Sequence, residues 1–185
     1  MPNLRHSLST INPHKALTDS KAKTGRTIDL LYLDACLMGM WEVAHEVHNE
    51  VNYLLASESW SWTSFAYGAH LAAIANSRPT ADVGAAWISN EAAVMAPIDH
   101  AYTYSLLDLS QMPTLTNRID VLAQQLEPLA QSAEGKAQIR AAFAASDCFD
   151  SNGDTLINRK APDVGKGIDT YCDLCQLCGA GYPLG

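Results

Sequence analysis

The chain has 185 residues, of which 48% are hydrophobic, and it carries 20 Asp and Glu against 12 Lys and Arg, for a formal net charge of −8. That is enough apolar material for the core of one domain. The acidic balance and the lack of any Lys/Arg cluster argue against a nucleic-acid partner, and no apolar run reaches the roughly 18 to 20 residues that cross a bilayer.

Residues 1–26 are polar and mixed, with a weak helical stretch near residues 8–17, and the opening Met1-Pro2-Asn3-Leu4-Arg5-His6-Ser7 has no apolar signal core. The run at 27–33 is apolar and bulky enough for a buried strand. Trp41, Val43, Ala44, Val47 and Val51, with acids between them, predict a helix over 38–51. Residues 52–57 read as a second strand; strand, helix, strand implies a parallel pair with a right-handed crossover. Residues 59–64 form a loop. Two Ala-rich helices follow at 65–75 and 81–95, with Ser77 or Thr80 as a cap. A third strand is predicted at 102–109, then helices at 115–132, where Pro128 kinks or ends the helix, and at 136–143. Residues 147–167 read as a polar loop and 168–178 as a short terminal helix. The fold class is therefore α/β, a parallel-containing sheet flanked by helices. Its core spans 27–178, after a poorly defined segment 1–26 and before a tail 179–185.

Cys36 stands where the first strand hands over to the first confident helix, in Asp34-Ala35-Cys36-Leu37-Met38-Gly39-Met40. Ligands and catalytic residues of open α/β sheets collect at that carboxyl edge. Helix N–H groups favour thiolate over thiol there. The competing reading is a lone cysteine acting as a small buried hydrophobe. Five cysteines is an odd number, so at least one thiol lies outside any intrachain pairing.

The segment Asp34 to Met40, followed by Glu42-Val43-Ala44 and by Tyr53-Leu54-Leu55-Ala56-Ser57-Glu58, resembles the nucleophile region of the clostripain family of cysteine peptidases, relatives of caspases and gingipains. The likeness continues more loosely through Ser105-Leu106-Leu107-Asp108-Leu109-Ser110, with a faint echo from Ile168-Asp169 to Leu174. It implies a caspase-like sheet, a catalytic Cys36, and peptide hydrolysis after Arg or Lys through an acyl-enzyme. It also implies that Asp34, two residues before the nucleophile, lines the pocket for the substrate's basic side chain, where a carboxylate gives charge-assisted recognition. The alternative for Asp34 is a structural acid accepting backbone N–H groups at the helix start. A second acidic pocket residue is expected a few positions past Glu58, yet Ser59-Trp60-Ser61-Trp62-Thr63-Ser64 stands there. Glu58 serves the pocket in part, or orders the loop.

In that family the catalytic histidine precedes the cysteine in a His-Gly step after another strand. His6 and His14 are the only histidines before Cys36, and neither is followed by Gly. The resemblance therefore implies a piece incomplete at both ends, with a companion chain supplying the histidine and a peptide or protein as substrate. Members are mainly bacterial and often exported, which implies an exported bacterial origin. The non-enzymatic alternative is a degenerate or truncated domain that keeps the peptide-binding edge and acts as a binding or assembly module.

Three further patterns carry metal readings. His45-Glu46-Val47-His48 lacks the i, i+4 spacing of a zincin helix, since Asn49 takes the second place, and reads as solvent-facing histidines. Cys172, Cys175 and Cys178 have C-x2-C-x2-C spacing but form an incomplete ligand set. Asp150, Asn152, Asp154 and Asn158 sit at positions 1, 3, 5 and 9 of a calcium-loop pattern. Thr155 there replaces the usual Gly and Ala161 the usual last acid, so calcium competes with a plain polar turn.

Overall fold

The computed structural model describes residues 11–61, 65–76, 79–98, 102–146, 148–149 and 171–174. Three strands form its main sheet: β1 (Ile28–Leu33), β2 (Val51–Ser57) and β3 (Tyr104–Asp108), in the order β1-β2-β3. β1 and β2 are parallel, from Ile28 opposite Val51 to Leu33 opposite Ala56. β3 runs antiparallel to β2, from Tyr53 opposite Asp108 to Ser57 opposite Tyr104. The α/β class and the parallel pair follow the sequence expectation. Among the described residues β1 and β3 are the sheet's edges.

The central strand β2 is nearly all apolar because both of its faces are covered. Side chains alternate across it with period two. Leu54 and Ala56 face one way, into a core with Ala44 and Val47 of α2 (Trp41–Val47), Leu109 and Met112, against which Leu31, Leu33, Leu107 and Leu115 pack. Leu17 of α1 (Ile11–Thr24) and Leu115 of α5 (Met112–Leu129) close that layer. On the opposite face α4 (Thr80–Met95) crosses all three strands. Its Gly84 lies so close to Leu106 that a Cβ there would come within 2.6 Å of Leu106 Cδ1. α3 (Tyr67–Ala75) packs on α4, and α6 (Ala133–Ala145) on α5. No helix among the described residues is long and apolar enough to cross a membrane.

Several boundaries differ from those the periodicity predicts. The N-terminal helix reaches Thr24 rather than ending near residue 17, and Leu17 joins the core. The helix predicted over 38–51 is α2 alone, seven residues long. Val51 fits both a helical stripe and a strand, and pairing with Ile28 captures it for β2. Residues 48–50 become a turn, closed by Glu50 N–H donating to Val47 O (3.0 Å) and Ile28 N–H to Glu50 O (2.9 Å). The N-cap of α4 is Pro79, with no side-chain cap. Within the predicted terminal helix, Tyr171–Cys172 is instead a strand, β5, antiparallel to β4 (Cys148–Phe149). Cross-strand pairing there outweighs helix propensity. Cys172 is disulfide-bonded, so it has no thiolate to offer a metal.

Candidate active site

Residues 34–40 link β1 to α2 at the carboxyl edge of the sheet, and Cys36 lies in the middle of this loop. The helix begins only at Trp41, with Met40 as an N-cap that makes no side-chain bond. Two corrections follow. Cys36 is separated from the first helical turn, so the α2 N–H groups do not meet its sulfur. Asp34 lies too far upstream to cap α2.

What shapes the loop is the segment after β2. Leu37 N–H donates to Ser59 O (2.9 Å) and Gly39 N–H to Ser57 O (2.8 Å). Between these bonds Leu37 adopts φ +60°, a left-handed conformation that costs a bulky residue about 1 kcal/mol or more. Gly39 is buried, and a Cβ there would meet Glu58 Cγ at 2.9 Å and the Ser57 carbonyl carbon at 3.0 Å. Gly39→Ala is therefore expected to lower stability by about 1 to 3 kcal/mol, as overpacking does. Denaturant unfolding checks this, and an unchanged midpoint would mean that the loop does not press on residues 57–58.

The half-buried Cys36 thiol touches Ser61. Its sulfur accepts from Ser61 N–H at 3.3 Å, and its S–H points to Ser61 O at 3.6 Å. Ser61 in turn shares a hydrogen bond between its hydroxyl and that of Tyr104 on β3 (3.1 Å). Asp34, two residues before the thiol, is exposed and accepts a hydrogen bond at Oδ2 from Tyr67, the first residue of α3. That bond is the largest cause pushing the Tyr67 phenol up to about 12.

Behind this edge lies Glu91, 0% exposed on α4. Its Oε1 accepts from Tyr32 Oη on β1 and from Ala66 N–H at the start of α3, both at 3.2 Å. His70 Nε2 lies 3.1 Å from the same oxygen. The His70 ring is 3% exposed and stacks on Trp87, with centroids 4.8 Å apart. Burial, and then the Glu91 charge, raises the Tyr32 phenol far above its ordinary value. Sequence reasoning missed this cluster. Its one visible signal is a Glu in the Ala-rich second half of α4, a residue type that is almost never fully buried without partners.

Glu58 follows β2 directly and lies against Gly39. Its N–H donates to Thr103 O at 3.2 Å. Burial pushes its carboxyl up toward the neutral form, and the Asp173 charge adds to the shift. His14 sits at the other end of α2, with Nδ1 2.7 Å from Glu46 and Nε2 3.7 Å from Glu50. His45 and His48 are half-buried rather than solvent-facing. His45 stacks on Trp41 and hydrogen-bonds Thr116 (3.1 Å). His6 and the calcium-loop residues Asp150, Asn152, Asp154 and Asn158 lie outside the described residues. Among the described residues no three His, Cys, Asp or Glu side chains group as metal ligands.

A family model described as the clostripain family matches residues 3–172. The chain belongs to the clostripain family. No curated protein matches it. Two solved structures are similar to it. A cysteine protease from B. fragilis shares 22% identity over 47% of this chain and 34% of its own, with a TM-score of 0.39. A clostripain from Bacteroides thetaiotaomicron, in complex with the peptide inhibitor BTN-VLTK-AOMK, shares 17% identity over 63% of this chain and 50% of its own, with a TM-score of 0.49. The chain thus spans about a third and a half of those two chains. Within this clostripain-family domain one loop carries Asp34 and Cys36, Glu58 lies against the same loop, and the described histidines have their polar contacts elsewhere.

Proposed function

We propose that this chain is the nucleophile-bearing part of a cysteine endopeptidase that cuts after Lys or Arg. The observation that carries the reading is one loop at the sheet's carboxyl edge that presents an exposed carboxylate, Asp34, two residues from an accessible thiol, Cys36. The carboxylate holds the substrate's cationic side chain by a charge-assisted bond. The Cys36 thiolate then attacks the next carbonyl carbon. The C–N bond breaks, the amine leaves with a proton, and a thioester remains. Water hydrolyses the thioester and returns the thiol.

The proton must pass through a base beside the sulfur. His70 is buried against Glu91 and His14 is held by Glu46. The base in this reading is a histidine outside the described residues, in this chain or in a companion chain. Glu58, packed against Gly39 with its carboxyl pushed up by burial, orders the loop more than it binds a cation.

The test compares two acyloxymethyl ketones of the same peptide, one ending in Lys and one in Leu. The Lys reagent is expected to label the chain at least about tenfold faster, the factor of one charge-assisted contact. Equal rates would remove the basic-residue specificity. Labelling without turnover of the matching fluorogenic peptide would identify a formed pocket and thiol that lack the base, and would favour the binding-module reading.

A further inference from the structure

The carboxylate of Asp34 is not a bare anion, and what holds it has a consequence for which cation it accepts. Tyr67 Oη donates to Asp34 Oδ2. Both partners of this bond are fastened by the same buried group. Glu91 Oε1 accepts from Tyr32, two residues before Asp34 on β1, and from the N–H of Ala66, one residue before Tyr67. The Tyr67 ring is further set by stacking on Phe65 at 5.3 Å and by an edge contact with His70 at 6.4 Å. It is nevertheless 49% exposed, so it reaches the surface beside the carboxylate. The phenol is protonated at neutral pH, as any tyrosine with an ordinary ionisation near 10 is, and the Asp34 hydrogen bond, then desolvation, pushes it further up to about 12.

We infer that Tyr67 makes the Asp34 pocket selective for lysine over arginine, by occupying one of the two carboxylate oxygens. This rests on the reading of Asp34 as the seat of the substrate's basic side chain. A guanidinium binds a carboxylate best as a planar fork, with one N–H on each oxygen. With Oδ2 already accepting from the phenol, the fork must share that oxygen with Tyr67 or settle for one contact. An ammonium is a compact point charge that needs no second oxygen, and it sits on Oδ1 with the phenol in place. The phenol itself has a lone pair left to accept from that ammonium. Tyr67 thus adds an acceptor for lysine and leaves arginine a shared second oxygen in place of a free one.

Equilibrium binding to the full chain carrying Cys36→Ala tests this without any dependence on the thiol or on the base. The ligands are a tetrapeptide amide ending in Lys and the same peptide ending in Arg, and the readout is the ratio of their dissociation constants. The lysine peptide is expected to bind tighter. Adding Tyr67→Phe, which keeps the ring and loses the hydroxyl, is expected to move the ratio about tenfold toward arginine, the worth of one hydrogen bond to a charged group. A loss of folding would weaken both peptides alike and leave the ratio unmoved. If Tyr67→Phe leaves the ratio unchanged while Asp34→Asn weakens both peptides, the selectivity role of Tyr67 is wrong and the Asp34 pocket stands. If Asp34→Asn changes neither peptide, or neither peptide binds at all, the pocket reading fails and this inference falls with it.

Discussion

Glu91→Ala is expected to destabilise the chain by about 3 kcal/mol, the scale set by orphaning buried hydrogen-bond donors. One oxygen of this fully buried carboxylate meets the Tyr32 hydroxyl, the Ala66 N–H and His70 Nε2. Truncation strands the Ala66 N–H, takes an acceptor from the Tyr32 hydroxyl, removes the carboxylate beside His70 and leaves a hole between α4 and the sheet. A chain with Glu91→Gln keeps a carbonyl oxygen for Tyr32 and Ala66 and is expected to lose less, about 1 to 2 kcal/mol. Urea unfolding of the three proteins gives the comparison. Because Tyr32 leads into Asp34 and Ala66 into Tyr67, the alanine variant is also expected to label more slowly than its residual folded fraction accounts for. An alanine variant within 0.5 kcal/mol of the parent, roughly the effect of an ordinary surface change, would show that Glu91 does not fasten the two arms.

Cys36→Ala is expected to reduce labelling by a peptidyl-Lys acyloxymethyl ketone by at least about a thousandfold, because the reagent needs a thiolate nucleophile. The same variant is expected to fold normally. The thiol's hydrogen bonds to Ser61, at 3.3 and 3.6 Å, are long sulfur contacts, and the side chain lies outside the main hydrophobic core. The two readouts together separate a chemical role from a structural one. Loss of labelling with an unchanged unfolding midpoint assigns chemistry to Cys36, whereas loss of both assigns packing.

The strands were legible because their signal is local. The apolar run at 27–33 marks a strand, although β1 is only half-buried, an edge among the described residues rather than the buried strand expected, and the parallel pairing follows from the intervening helix. The end of α2 was not legible, since Val51 satisfies a helical stripe and a strand equally, and only the Ile28 partner decides between them. The strand at Tyr171–Cys172 was hidden for the same reason, its partner lying at Cys148–Phe149. In the site, the positions of Asp34 and Cys36 on one loop follow from their place between strand and helix. The fittings around them do not. Tyr67 meets Asp34 across 33 positions, and Tyr32 meets Glu91 across 59. Such contacts leave no periodic trace. Once β1 and α4 are packed face to face, however, Glu91 has only Tyr32, His70 and a backbone N–H to turn to among its described polar neighbours.

The central claim is that Cys36 and Asp34 form one substrate-directed site. Its most direct test is to react the full chain with one equivalent of a peptidyl-Lys acyloxymethyl ketone and to map the adduct by peptide mass spectrometry. A single adduct on the peptide containing Cys36, lost on Asp34→Asn at the same reagent concentration, is the predicted result. An adduct on another cysteine, or equal labelling of Cys36 with and without the Asp34 carboxylate, would contradict it.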